Sequence, residues 1–256
     1  MVEGFSGGRG SGGLSGQETN KLPGTSGEKI EQDSFVLRLQ KLDACAVSDA
    51  AYKLKIRNCA FQRGIHSLTP LPNTKKIAGI AVTMELRPIR SGEPPQEKHL
   101  GVDAINAAQK GNIIVIKSPP IESASWGGVL SAAAVVKELA GVIIDGMVRD
   151  IGQAEELKLP IFARDSITLT ARDRIEQDTV QKPIDICGSH IEPGDYIIAD
   201  KDGIVVIPRL KIGDVLVEAE AIVRKEAAMV EALWVGKSPE EALGGHQNML
   251  NNPTGE

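Results

Sequence analysis

"AGVIIDGMVRDIGQ" (residues 140–153) is the stretch on which the fold reading turns. Val142, Ile143 and Ile144 form a β-branched run between two glycines, which predicts a buried strand over 142–146. Arg149 and Asp150 then stand side by side where that strand should end.

Working backwards, "WGGVLSAAAVVKELAG" (126–141) is Ala-rich with helical spacing, and Gly141 is its expected stop. "NIIVIKS" (112–118) before it reads as another buried strand. Strand, helix and strand with a connection of this length predict a parallel pair joined by a right-handed crossover. In that topology the start of the helix and the end of the second strand share one edge of the sheet. A helix over 127–139 rises roughly 18 Å, and the extended return over 141–147 covers roughly 20 Å. Gly127 and Gly128 should therefore come back beside Arg149 and Asp150, at the edge where α/β sheets bind ligands.

The flanking segments extend the alternation. "SFVLRLQKL" (34–42) and "ACAVSDAAYKL" (44–54) have helical spacing, "IAGIAVTMEL" (77–86) reads as a strand, and "KHLGVDAINAAQKG" (98–111) as a helix closed by Gly111. "QAEELKL" (153–159) is a short helix and "PIFAR" (160–164) a strand. Short strands follow at 183–188, 194–200 and 203–208, with "DKDG" as a hairpin turn between the last two. Asp200 and Asp202 in that turn lack the remaining ligands of a calcium loop. A long amphipathic helix is expected from Leu210 to Val235, with Glu220 and Arg224 paired four apart, and then a capping box formed by Ser238 and Glu241. The fold class is α/β. Residues 30–243 read as one domain between a Gly/Ser-rich tail (1–29) and a loose C-terminal tail (244–256).

Composition narrows the function classes. The chain has 256 residues, 41% hydrophobic, with a formal charge of −5. Its 29 Lys and Arg form no dense block, and aromatic residues are only 3%, which argues against a nucleic-acid partner. No apolar run approaches the length of a membrane span. Cys45, Cys59 and Cys187 show no paired spacing, so a reducing compartment, the cytoplasm, is expected. The four His are scattered, with no pair at ligand spacing.

The chemistry of the expected site follows from its residue types. Backbone N–H groups at a helix start, left open by Gly127 and Gly128, suit a carboxylate. Arg149 offers a planar fork for the same carboxylate or for a developing enolate oxygen. Asp150 is a hard oxygen ligand for Mg²⁺ or Mn²⁺, with water and substrate oxygens completing the shell. Together these suit a small 2-oxo acid. Read on spacing alone, the same residues also fit a surface salt bridge and a plain turn.

From Val47 to about Glu241 the chain resembles the RraA-like family, which includes the 4-hydroxy-4-methyl-2-oxoglutarate aldolases. The matching stretches are "VSDA" (47–50), "GGVL" (127–130), "AGVIIDGMVRD" (140–150), "LPIFAR" (159–164), "PGDYIIADKDGIVVIP" (193–208) and "RKE" (224–226). The resemblance implies a swivelling β/β/α domain assembled as a homotrimer or as paired trimers (a hexamer), with sites between subunits. It also implies substrate contacts at the backbone of Gly127, Gly128, Val129 and Leu130 and at Arg149, a metal ligand at Asp150, and Glu226 reaching a neighbouring subunit's site. Aldolase members carry an acid where this chain has Gly128, and often another where it has Gln153.

These readings lead to a divalent-metal-dependent lyase that cleaves a 4-hydroxy-2-oxo acid to pyruvate and a carbonyl product, with oxaloacetate decarboxylation as a related activity. Two alternatives stand beside it. One is a Schiff-base enzyme using Lys117. The other is a non-catalytic protein that, like the RraA members, regulates an RNA-degrading enzyme by binding it.

Overall fold

A computed structural model describes residues 33–61, 64–90, 92 and 99–244. The two expected tails lie outside the described residues, apart from Gly244.

Two short helices open the fold, α1 (Ser34–Leu39) and α2 (Ala44–Lys53), each started by an aspartate whose carboxylate accepts backbone N–H bonds: Asp33 from Phe35 and Val36, Asp43 from Ala46. The strands are β1 (His66–Ser67), β2 (Lys76–Pro88), β3 (Ile113–Lys117), β4 (Ala124–Trp126), β5 (Gly141–Val148), β6 (Ile161–Ser166), β7 (Ile175–Val180), β8 (Ile184–Ile186), β9 (Ser189–Ile191), β10 (Tyr196–Asp200) and β11 (Ile204–Ile207). Between them lie α3 (Val102–Ala107), α4 (Gly128–Val136) and α5 (Ile151–Glu156), and the long α6 (Ile212–Trp234) follows a 3₁₀ turn. Ser238 and Glu241 form the reciprocal capping box: Ser238 N–H donates to Glu241 Oε2 at 3.1 Å, and Glu241 N–H to Ser238 Oγ at 3.2 Å.

The main sheet runs β1-β6-β5-β3-β2-β10-β11, with β4 added to β5 and β7 to β2. Strands β2, β3, β5 and β6 are mutually parallel, as the crossover reading requires. The thirteen-residue β2 is shared. Its first half pairs antiparallel with β10, its centre with β3, and its end with β7.

Three apolar layers result. Val82, Met84, Ile116, Ile144 and Ile161 pack under α3, α4 and α5. The opposite face, with Val115, Ile143 and Phe162, meets Ile197 and Val206 of β10–β11 and the β8–β9 hairpin. The outer face of β10–β11 is covered by α1, α2 and α6 through Leu39, Val47 and Leu216.

Several local expectations change. The helix expected over 98–111 is confined to α3, and Gly111 sits in a later turn. Helix α4 ends early because Glu138 takes the left-handed conformation, φ 53°. Gly141, expected as the stop, instead opens β5, where a Cβ would come within 2.9 Å of the Pro160 carbonyl oxygen. Glu220 bonds across to Arg38 of α1 through two hydrogen bonds of 2.7 and 2.9 Å rather than only along its own helix. Asp200 is a buried turn residue whose carboxylate accepts from the N–H groups of Ala44, Asp202 and Gly203.

Candidate active site

Strand β4 brings the expected residues together. It pairs parallel with the end of β5, and Arg149 N–H donates to the Trp126 carbonyl at 3.1 Å. The chain thus leaves β4 into α4 directly beside the point where it leaves β5 into α5. Asp150 sits at that corner in the left-handed conformation, φ 61° and ψ 38°, which aspartate tolerates better than most residues.

Asp150 holds the N-cap position of α5 but makes no side-chain cap bond there. Its carboxylate turns instead to α4, where Gly128 N–H donates to Oδ2 at 2.9 Å. Arg149 Nε lies 3.4 Å from the same oxygen, with both side chains 43% exposed. The N–H groups of Val129 and Leu130, next in the first turn of α4, have no hydrogen-bond partner among the described residues. Gly127 leaves room for this arrangement: a Cβ there would stand 3.1 Å from Asp150 Oδ2 and 3.3 Å from Arg149 Nε.

A cleft of about 280 Å³ opens over these groups and is lined by Gly127, Gly128, Val129, Leu130, Arg149 and Asp150. Val129 is 75% exposed and Leu130 is buried, so the helix start offers the cleft mainly its backbone. Glu226 is not in the cleft. It lies exposed on α6, which packs against α1 and α2.

Other lining residues escape the sequence reading. Thr170, Arg172 and Asp173 come from the loop before β7, and Glu176 from β7 itself. Arg174 laces that loop by donating to the carbonyls of Thr170 and Arg172. Glu176 is buried and ion-paired with Arg87 at 2.6 Å. The only signal in the sequence is the charge density of "ARDRIEQD" (171–178), and no spacing rule joins it to Arg149. His99 also lines the cleft.

Lys117 is elsewhere. Its ammonium pairs with Glu85 at 2.7 Å, and that bond raises its pKa. A Schiff-base lysine needs the opposite shift.

A divalent cation can be tested against the donor set. No group of three or more His, Cys, Asp or Glu converges among the described residues. Asp150 Oδ2 accepts from the Gly128 amide, which orients the carboxylate and engages one of its two oxygens. One oriented carboxylate fits Mg²⁺, which keeps much of its water and binds through one or two carboxylates plus substrate oxygens.

Comparison with known proteins agrees with this architecture. Protein DlpA of Legionella pneumophila is 29% identical over 219 residues, 83% of this chain, and the chain spans about a third (34%) of that relative's length. A Halalkalibacterium halodurans protein named "Putative 4-hydroxy-4-methyl-2-oxoglutarate aldolase" is 29% identical over 192 residues, covering 73% of this chain and 82% of its own. Among solved structures, an uncharacterized Pseudomonas syringae protein superposes with a TM-score of 0.71 at 28% identity, covering 82% of this chain and 96% of that one. Streptomyces coelicolor RraAS2, described as an unusual member of the RNase ES inhibitor RraA family, gives 0.67 at 24% identity, over 77% of this chain and 96% of its own, and so shares the fold. The RraA-like family model (Aldolase/RraA) matches residues 44–206, well over half of the chain, and the chain belongs to that family.

Proposed function

We propose that the protein is a divalent-metal-dependent lyase that cleaves a 4-hydroxy-2-oxo acid to pyruvate and a carbonyl product. The observation that carries this reading is the junction of Arg149, Asp150 and the start of α4 in one cleft, with Asp150 oriented by the Gly128 amide. The name of the Halalkalibacterium relative supports it.

In this reading the unpaired N–H groups of Val129 and Leu130 and the guanidinium of Arg149 bind the 2-oxo carboxylate. Asp150 would hold the cation, Mg²⁺ or Mn²⁺, which when bound would supply Lewis-acid stabilisation of the developing negative charge. The C4 hydroxyl gives its proton to a water in the open cleft, C4 becomes a carbonyl, and the C3–C4 electron pair passes to the 2-oxo oxygen as an enolate. Arg149 stabilises that charge. A proton returned from water to C3 gives pyruvate. Oxaloacetate would yield the same enolate by losing CO₂, so decarboxylation is expected as a second activity.

Assembly as a homotrimer or hexamer belongs to the same proposal. Val230, Trp234 and Val235 at the end of α6 are 50%, 85% and 72% exposed, an apolar end that a neighbouring copy would cover. Glu226, on the same helix, would then approach another subunit's cleft. Its three cysteines are unpaired, in keeping with a cytoplasmic setting. No described helix is long and apolar enough to cross a membrane, and neither a membrane nor nucleic acid is proposed as a partner.

One observation favours a second reading, a non-catalytic regulator acting by protein binding: the neutral Gly128 and Gln153 beside Asp150. Turnover of 4-hydroxy-2-oxo acids and oxaloacetate with Mg²⁺, and its loss in EDTA, tests the lyase. A chain inactive on all of them with Mg²⁺ or Mn²⁺ would favour the regulator.

A further inference from the structure

The two neutral residues beside Asp150 occupy one another's space. A Cβ built on Gly128 would lie 1.8 Å from Gln153 Oε1 and 2.7 Å from Gln153 Cδ, with Asp150 Cβ 3.4 Å away. The carboxamide of Gln153 therefore stands in the volume that any side chain at position 128 would need. The backbone places no such demand, since Gly128 lies within α4. Gln153 is the third residue of α5, and the next, Ala154, is fully buried and donates its N–H to the Asp150 carbonyl at 3.1 Å. The backbone that carries Gln153 is thus anchored to Asp150.

Charge gives this contact a consequence. Arg149 and Asp150 offset each other at 3.4 Å, which leaves the positive end of α4 to attract an anion. A carboxylate in the volume beside Asp150 would oppose that anion and favour a cation. A carboxamide does neither, and it cannot ionise.

We propose that Gln153 sets the charge preference of the cleft: its neutral carboxamide fills the place of a side chain at position 128 and keeps a second carboxylate away from Asp150. The proposal rests on the carboxylate-binding reading above. Gln153 is thereby a specificity-determining residue.

The test uses the full chain with oxalate, a small dicarboxylate mimic of the enolate, and with Mn²⁺ alone, each by calorimetry. Gln153→Glu preserves shape and adds one charge. Oxalate affinity in EDTA should fall about fourfold or more, the effect of a unit charge roughly 5 Å away even at the dielectric of water, and Mn²⁺ should bind more tightly. Gln153→Ala removes the amide without adding charge and should leave oxalate affinity close to wild type. Unchanged oxalate binding in Gln153→Glu overturns the proposal. Wild-type protein that binds oxalate neither with nor without Mn²⁺ overturns the active-site reading as well, whereas wild-type binding indifferent to Gln153→Glu overturns this proposal alone.

Discussion

Asp150 accepts a hydrogen bond from the Gly128 N–H across 22 positions of chain, a 2.9 Å link that ties the end of β5 to the start of α4. An Asn at position 150 can keep that bond through its own Oδ1 and tolerates the left-handed backbone equally well. Asp150→Asn should therefore fold normally while losing the anionic ligand proposed for the cation. We expect turnover to fall by at least about a hundredfold, on the order of 3 kcal/mol of transition-state stabilisation. Near wild-type rates at ordinary Mg²⁺ would remove Asp150 from the metal assignment.

Arg149→Lys keeps the charge but loses the planar fork, and a lysine has no Nε to lie beside Asp150 Oδ2. Steady-state kinetics should show a higher KM together with a lower kcat. Equal kinetics for the two residues would mean that only a diffuse positive field is needed.

Gly127→Ala tests the closeness of the site. The new methyl would press on Asp150 Oδ2 at 3.1 Å and on Arg149 Cγ and Nε at 3.3 Å, displacing both functional side chains by tenths of an ångström. Because both are exposed, Tm should change little, by the equivalent of about 1 kcal/mol or less. Turnover should fall roughly tenfold or more, since small misplacements cost rate steeply. A large loss of Tm with proportional loss of activity would show a packing role instead.

Lys117→Ala removes the ammonium held by Glu85 and should leave turnover essentially intact, because Lys117 is outside the cleft. Borohydride with pyruvate should leave no covalent adduct on the wild-type chain. A mass increase mapped to Lys117 would reinstate the imine mechanism.

Alkaline pH should act through Tyr196. Burial and the Asp33 carboxylate, which accepts the phenol's hydrogen bond at 2.9 Å, push its pKa up to about 12. The unfolded chain releases this proton near the ordinary value of about 10. Folded-state stability from this group is therefore complete below that value and declines as pH rises from about 10 toward 12. Tyr196→Phe should flatten this part of the Tm-versus-pH curve, and an unaltered slope in the variant would assign it to other groups.

Much of the site was legible because strand β5 and helix α4 advertise themselves through β-branched and Ala-rich runs, and the crossover rule then places Gly128 by Arg149. The extents were less so. A strand of three residues such as β4 carries no period of its own, and "ASW" makes sense only once paired with β5. Strand β7, "IEQDTV", is largely polar because most of it is only partly covered, so it gives no apolar alternation and hides Glu176. Gly141 looked like a helix stop, since glycine is so often found there. The structure uses it where Pro160 crowds the backbone and lets Glu138 take the left-handed turn. Partners chosen by tertiary proximity, such as Arg38 for Glu220, leave no trace in local spacing.

The division of β2 among three partners bears on how the protein comes apart. Its amides and carbonyls are bonded to β10 at one end and to β3 and β7 toward the other, so neither half of the sheet can open without exposing this strand. Unfolding should therefore be a single cooperative event. In native-state hydrogen exchange the slowest amides should cluster along β2, and their exchange should report global opening, whereas those of the short β8–β9 hairpin exchange through local fluctuations.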